Sequence, residues 1–208
     1  MRSNLIERTW TNLDAAPLAS SAVMHLTDPT EAQWVGIVDL AASASYTLEA
    51  GHRHDLYVLQ GHVEINGQTL EADDFLIRSD ASVINAGENG ARLLLYREAT
   101  NSRGDSLVRR ASERVWRAGV NPRMHVVPLA GGAQHVSLVA WQPGAHTGDH
   151  THPRGEEIFV LSGELRDAEN RYPAGTWLRL HPGARHAPFA DTPTTILLRH
   201  GHLSDQHA

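Results

Sequence analysis

The second half of the chain carries three histidines and a glutamate at spacings that suit one metal ion: His150, His152, Glu156 and His186. Side chains on a β-strand alternate between its two faces, so His150 and His152 point the same way. A turn after His152 allows the next strand to bring Glu156 alongside, and a later strand supplies His186. Imidazole and carboxylate donors suit Fe(II), Mn(II), Ni(II), Cu(II) or Zn(II). The sequence therefore predicts a site for one divalent transition metal ion, with its identity open among Zn, Fe, Mn and Ni.

Two adjacent glutamates compete for the fourth ligand position. The six residues between Glu156 and Gly163 favour Glu156, a choice that also turns Ile158 and Val160 towards the interior. Glu157 stays the second candidate, and its alternative role is a charge on the outer face. Either set leaves positions free on a six-coordinate ion, which is what separates a catalytic metal site from a structural one.

Several other polar side chains have less certain roles. His146 shares the parity of the ligand histidines, so it is a pocket candidate for an acid–base role, or equally a partly solvated strand residue. Arg179 could contact an anionic ligand, although a solvated charge is the favoured interpretation. His200 and His202 lie near the C-terminal end of the sequence, and we expect them to be exposed and without function.

The chain has strand-like segments throughout, so we expect short β-strands to position the four predicted metal ligands. Runs of Val, Ile, Leu and aromatic residues, such as 34–40, 55–59 and 93–97, alternate with turn signals such as Asn66-Gly67 and Pro182-Gly183. No long stretch shows the 3.6-residue period of an amphipathic helix. The pattern predicts an all-β fold of barrels, and closing a sheet creates a cavity at one end.

An internal repeat at an offset of 102 residues divides the chain. Val160-Leu161-x-Gly163 falls on Val58-Leu59-x-Gly61, and Leu197-x-Arg199 falls on Leu95-x-Arg97 in the same register. The repeat predicts two tandem barrels. Their predicted bounds are an N-terminal barrel at 1–98, a polar linker at 99–113 and a metal-binding C-terminal barrel at 114–208.

The first barrel is expected to lack the metal site. The offset places the four ligand positions on Leu48, Ala50, His54 and Ile84, of which only His54 could bind a metal. A local shift of register that brings in His52 beside His54 keeps a weak N-terminal site as the alternative. We otherwise interpret this barrel as a structural partner.

The same residues match two sequence blocks of the cupin superfamily, which the chain resembles. The first block, G-x5-H-x-H-x3,4-E-x6-G, is met by Gly144, His150, His152, Glu156 and Gly163. The second, G-x5-P-x-G-x2-H-x3-N, is met by Gly175, Gly183 and His186, with His181 in place of the proline and Ala190 in place of the asparagine. His181 would add a polar group near the pocket mouth and is the second pocket candidate. The resemblance and the repeat together imply a bicupin of two double-stranded β-helix (jelly-roll) barrels.

Residues 115–203 look most like the ChrR-type cupin domain of certain bacterial anti-sigma factors, which also occurs in acetylacetone-cleaving dioxygenase-like proteins. In ChrR-type domains the four motif residues bind zinc, which implies the same role for these four positions. ChrR regulators bind a sigma factor through a helical N-terminal domain that carries a zinc site of histidine and cysteine ligands. This chain has a strand-rich N-terminal half and no cysteine, which argues against a sigma factor as its partner.

Two functions follow as expectations. The open metal site and the resemblance favour a metal-dependent oxygenase, such as a dioxygenase, or a lyase that acts on a small dicarbonyl or enol-type molecule. The alternative is a non-catalytic metal-dependent sensor or an anti-sigma-factor-like transcriptional regulator of ChrR type.

Composition narrows the classes of partner. The 208 residues include no cysteine, which excludes disulfides and thiolate metal sites. A net charge of −6 without a basic stripe argues against nucleic acid. No apolar run approaches the ~20 residues of a membrane helix, and residues 1–13 lack the pattern of a signal peptide. We expect a cytoplasmic protein with a small-molecule ligand and no membrane partner, and a homodimer stays open.

Overall fold

The chain divides into two compact units in the computed structural model, which describes residues 5–9, 20–101, 106–132 and 134–203. The C-terminal unit comprises Val115–Ala208 together with Met1–Leu13, and the N-terminal unit comprises Asp14–Arg114. The first strand, β1 (Leu5–Thr9), pairs with a strand near the far end of the sequence. The described residues are almost entirely strands and turns, so the predicted all-β class is confirmed.

The N-terminal unit is built on one antiparallel sheet. Its described strands are β2 (Ala22–His25), β3 (Gln33–Leu40), β4 (Ser45–Leu48), β5 (His52–Ile65), β6 (Gln68–Glu71), β7 (Phe75–Arg78), β8 (Ser82–Ala99) and β9 (Ser106–Arg109). They are ordered β2-β3-β8-β5-β7-β9, with β4 also paired to β8 and β6 to β5. Apolar residues at alternate strand positions, such as Leu56, Val58 and Leu93, fill a fully buried core.

The C-terminal unit follows a short 3-10 turn at Ala111–Glu113. Its further strands are β10 (Arg117–Ala118), β11 (Met124–Ala130), β12 (His135–Trp141), β13 (Ala145–His146), β14 (His150–Thr151), β15 (Glu156–Ser162), β16 (Glu164–Arg166), β17 (Arg171–Pro173), β18 (Thr176–Leu180), β19 (Arg185–His186), β20 (Phe189–Ala190) and β21 (Thr194–His200). The main sheet is ordered β1-β18-β15-β21-β12-β11-β10, beside two smaller sheets, β13-β20-β16-β17 and β14-β19. Its core includes Ile158, Val160 and Ile196.

The sequence repeat recurs in the pairing of strands. In the N-terminal unit His54 lies opposite Arg78, and in the C-terminal unit Glu156 lies opposite Leu180, so both partners differ by the same 102 positions. Gly61 and Gly163 occupy matching places with a φ of 74°. A Cβ at Gly61 would collide with the backbone oxygen of Gly90 in β8, and one at Gly163 with that of Pro193 just before β21, which explains why both repeats keep glycine there.

The unit boundaries differ from the bounds predicted from the sequence. Within the predicted linker 99–113, β9 pairs with β7, and Asp74 binds the segment that follows through Arg110 (2.8 Å) and the Ala111 amide (2.7 Å). Polar composition suggested a linker, but an edge strand is also polar because one of its sides faces water. Likewise β1 belongs to the sheet of the C-terminal unit, since it pairs with β18. Residues 102–105 of the predicted linker lie outside the described residues.

The described part of the chain contains no helix that is both long enough and apolar enough to span a membrane.

Candidate metal centre

Two short strands and a turn bring the four predicted ligands together. His150 on β14 lies directly opposite His186 on β19. The turn after His152 is closed by hydrogen bonds from the Gly155 and Gly183 amides to the His152 carbonyl, at 3.1 and 3.0 Å. Gly155 has a φ of 66°, and a Cβ there would lie 2.5 Å from Leu203. This residue must therefore be glycine for the turn to deliver Glu156, the first residue of β15, beside the histidines.

The donor atoms converge on one point. His186 Nε2 lies 3.1 Å from His150 Nε2 and 3.1 Å from His152 Nε2. The Glu156 carboxylate oxygens lie 3.2 Å from His152 Nε2 and 3.4 Å from His186 Nε2. Ligands bound at about 2.1 Å to one ion stand roughly 3.0 Å apart at right angles and roughly 3.4 Å apart in a tetrahedron. The observed separations fall in that range, so the four side chains fit a shared ion.

The protonation of the histidines also suits a metal ion. The Nδ1 of His150 lies 3.0 Å from the Gly148 carbonyl oxygen. A proton on Nδ1 donates there and leaves the Nε2 lone pair facing the other donors. Burial, followed by the charge of His150, lowers the pKa of His152 to about 4. Burial and the neighbouring histidines lower the pKa of His186 to about 3.

The buried carboxyl group needs a positive partner. Burial raises the pKa of Glu156 to about 8, because its immediate surroundings supply imidazoles that are neutral rather than a cation. A divalent ion at the convergence point would lower the pKa of Glu156 again and keep its side chain ionised as a carboxylate. A divalent ion would accept the lone pairs of the neutral imidazoles and supply the positive charge that the buried carboxyl group lacks. The residues present therefore fit a metal ion.

A cavity of about 310 Å³ opens beside these ligands. Its described lining residues are Val120, Met124, Val126, Ser137, Val139, Trp141, Thr147, His150, His152, Glu156, Ile158, His186, Pro188, Ile196, Leu198 and His200. The wall away from the metal ligands is mostly aliphatic and aromatic. Its size is at the lower end of the range for small-molecule sites, roughly 300–1,000 Å³. The arrangement gives a candidate metal centre with an open, mainly apolar side.

The two other pocket candidates lie elsewhere. His146 is exposed and borders a separate surface depression with Gly144 and Phe189. The parity argument fails for His146 because β13 ends there and β14 begins at His150, so the two histidines are not on one continuous strand. His181 is half-buried, its carbonyl oxygen accepts the Ala184 amide at 2.9 Å, and it is not among the residues that line the cavity.

His200 and His202 are not exposed, which corrects the burial expected for them from the sequence. His200 lines the metal cavity and stacks on His135, with ring centroids 5.0 Å apart. His202 is buried, and its Nε2 lies 2.8 Å from Glu157 Oε2. The sequence signal for His200 was the alternation Ile196, Leu198, His200 along β21, which continues the inward-facing row to the last residue of the strand.

Glu157 is neither a metal ligand nor a charge on the outer surface. It is fully buried, with Arg179 Nη2 at 2.6 Å, His202 Nε2 at 2.8 Å and Arg199 Nη1 at 3.4 Å. Burial raises the pKa of Glu157, but Arg179 and His202 outweigh it and hold the pKa well below its usual range. Arg179 is thus a buried ion-pair partner rather than a solvated charge or an anion-binding group.

The described part of the N-terminal unit, residues 20–101 and 106–114, shows no comparable centre. Leu48 and Ile84, which replace two ligands, are fully buried in the apolar core. His54 is 2% exposed, and its ring lies 6.1 Å from that of His52. Burial and His52 lower the pKa of His54 to about 4. Within the described ranges, His150, His152 and His186 form the single group of three such donors close enough to share an ion.

Comparison with known proteins identifies the domain that holds the site. Residues 105–204 match the ChrR cupin-like domain, so the chain contains a cupin-family domain. No curated protein matches the sequence significantly.

Solved structures share the cupin fold across nearly the whole chain. A cupin 2 conserved barrel domain protein from Leptotrichia buccalis has 17% identity and a TM-score of 0.68, covering 94% of this chain and 95% of its own. Quercetin 2,3-dioxygenase from Acinetobacter baumannii has 14% identity and a TM-score of 0.69, covering 97% and 87%. Oxalate decarboxylase from Bacillus subtilis, a protein with Mn(II) centres, has 13% identity and a TM-score of 0.69, covering 96% and 78%. At these identities the similarity establishes the fold alone.

Proposed function

We propose that this chain, whose residues 105–204 are a ChrR cupin-like domain, is a metal-dependent enzyme that acts on a small dicarbonyl or enol-type molecule as an oxygenase or lyase. The observation that carries the proposal is the convergence of His150, His152, His186 and Glu156 at the end of a mainly apolar cavity. A purely structural ion needs no cavity beside it. Space for a ligand at the open side of the ion is what catalysis requires.

The protein would bind one metal ion per chain, with Zn, Fe, Mn and Ni all compatible with nitrogen and oxygen donors. A bound divalent ion would polarise the two oxygens of a 1,3-dicarbonyl and favour its enolate form. The Gly148 carbonyl fixes the ring of His150, which keeps its Nε2 aimed at the centre. The aliphatic part of the wall offers no polar partners of its own, so electrostatic interactions at that side of the site are stronger than in bulk water.

Proton transfer from the substrate needs a basic group in the cavity. Glu156 and His200 are candidates that line it. For an oxygenase, cleavage of a 1,3-diketone with dioxygen breaks one carbon–carbon bond and yields one carboxylic acid and one 2-oxoaldehyde. Both atoms of dioxygen then remain in the products, and no other oxidant is required. Without dioxygen, cleavage of the corresponding bond of a 1,3-diketone would consume one water molecule and yield one carboxylic acid and one ketone.

The test is turnover by metal-loaded protein with a panel of diketones and enols. We expect the Fe(II)-loaded chain to consume dioxygen in proportion to acid formed, whereas a lyase would form products under anaerobic conditions. The Glu156→Gln variant should lose turnover under both conditions. Absence of turnover with every metal across a broad panel would contradict the proposal.

The match to the ChrR cupin-like domain supports a second candidate, a non-catalytic metal-dependent sensor or regulator. Against it, the described part of the N-terminal unit is a β-sheet rather than a helical sigma-binding domain. Recovery of a sigma factor with the metal-loaded chain, lost in a His186→Ala variant, would favour this candidate over the enzyme.

A further inference from the structure

The wall of the metal-facing cavity and the charge of its ligand set define a narrower class of substrate. We propose that the cavity takes a molecule that binds the metal as a monoanion and carries no carboxylate group. This inference rests on the proposed function, because it assumes that a ligand reaches the open side of the ion.

Charge balance is the first argument. Histidine binds a metal ion as neutral imidazole. His150, His152 and His186 therefore add no charge, and Glu156 adds one negative charge. A divalent ion brings the centre to a net charge of plus one. One monoanionic ligand makes the centre neutral, whereas a dianion leaves an uncompensated negative charge in an apolar cavity, which is costly.

The second argument is that no cationic side chain among the described lining residues can offset the extra negative charge of a dianion. Among the described residues that line the cavity there is neither a lysine nor an arginine. Arg179 and Arg199 belong to the same sheet, but strand alternation places Arg199 between the inward-facing Leu198 and His200, on the opposite face. Both guanidinium groups are buried there against Glu157. They are therefore not available to pair with a substrate carboxylate.

The third argument concerns the polar atoms that remain in the wall. The Thr147 hydroxyl is buried without a hydrogen-bond partner, and Ser137 supplies a second hydroxyl. A buried hydroxyl that lacks a partner is destabilising, so a ligand oxygen that bonds to Thr147 would be favourable. Hydroxyl groups are neutral and cannot balance a second negative charge. They suit a carbonyl or enol oxygen, while Val126, Val139 and Ile196 suit alkyl groups.

Acetylacetone and malonate form a matched pair of probes. Both present two oxygens in a 1,3 arrangement, but acetylacetone binds as a monoanion with methyl groups where malonate, a dianion, has charged oxygens. Their dissociation constants from the zinc-loaded full chain are measured by calorimetry and compared with their affinities for the aqueous ion. Relative to the aqueous ion, we expect the protein to shift the ratio of the two dissociation constants in favour of acetylacetone by at least ~10-fold, which corresponds to about 1.4 kcal/mol.

A pair of variants tests the electrostatic cause. Ser137 is half-buried in the cavity wall, so a longer side chain can be accommodated. Ser137→Lys places a cation in the wall and should move the ratio towards malonate by ~10-fold or more. Ser137→Met adds similar length without charge and should leave the ratio unchanged.

The outcomes separate the two proposals. If both probes bind and malonate gains as much from the protein as acetylacetone, this inference is wrong while the proposed function stands. If Ser137→Lys and Ser137→Met act alike, charge does not select the ligand and the inference is again wrong. If the zinc-loaded chain binds neither probe nor any other diketone, the proposed function fails and this inference fails with it.

Discussion

Removal of the His186 side chain should abolish most of the stability that the protein gains from metal. The Nε2 atom of His186 lies 3.1 Å from those of both other histidines and 3.4 Å from Glu156, so it is central to the ligand set. Four-ligand zinc sites contribute about 10–16 kcal/mol, and an equal share per ligand is roughly 2.5–4 kcal/mol. His186→Ala should therefore weaken binding by about 10²–10³-fold.

Thermal unfolding with and without buffered zinc measures the effect. At a free zinc concentration ~1,000 times the native dissociation constant, the native protein gains about 4 kcal/mol. The His186→Ala variant would then be at ~1–10 times its own constant and gain only about 0.4–1.4 kcal/mol. The matched control is His54→Ala, which removes a buried histidine of the N-terminal unit and should leave the zinc-dependent gain near its native value.

The comparison of the two histidine variants decides the assignment of the metal centre. It uses the difference between zinc-loaded and zinc-free protein, so a general loss of stability in either variant cancels. Retention of the full zinc-dependent gain in His186→Ala, or an equal loss in His54→Ala, would refute the reasoning.

Three further predictions concern other buried groups. Burial lowers the folded-state pKa of His54 to about 4, whereas the unfolded value is about 6.5, so the unfolded state binds more protons between these pH values. The free energy of unfolding should therefore fall by up to about 3 kcal/mol as the pH drops from 6.5 to 4. Urea titrations of the His54→Gln variant should show a weaker pH dependence. Glu157→Gln removes the negative charge that faces the buried Arg179 and Arg199 and should lower the free energy of unfolding by about 3–5 kcal/mol in chemical denaturation, yet elemental analysis should still find the native metal content. Gly155→Ala adds a Cβ against Leu203 at a positive φ, so calorimetry should show weaker zinc binding as well as a lower melting temperature; native affinity would contradict the role assigned to this turn.

The sequence was most informative where function depends on local spacing. His150, His152 and Glu156 lie within seven positions, so strand alternation and one turn were enough to predict that they meet. The fixed offset of the repeat also predicted that Leu48 and Ile84, which cannot bind a metal, stand at two of the ligand positions in the N-terminal unit. These inferences require the knowledge of only one strand or one turn at a time.

The sequence was least informative where the outcome depends on distant partners or on strand breaks. The surroundings of Glu157 come from β18 and from the segment after β21, so no local pattern distinguished a buried ion-pair network from a surface charge. His146 was misplaced because the chain leaves the strand between His146 and His150. The place of β1 was missed because its partner strand lies far along the sequence.

The pairing of β1 with β18 has a consequence for biosynthesis. Ribosomes add roughly 5–20 residues per second, and β18 follows β1 by about 170 residues. The partner strand of β1 is therefore synthesised on the order of ten seconds or more after β1 itself. All of Asp14–Arg114 emerges in that interval and can fold first, as an insertion within the sequence of the other unit. A fragment that starts at Val115 would lack β1, and the backbone amides and carbonyls of β18 would be left as an open edge prone to self-association. Expression of the C-terminal unit alone should therefore retain residues 5–9 together with residues 115–203.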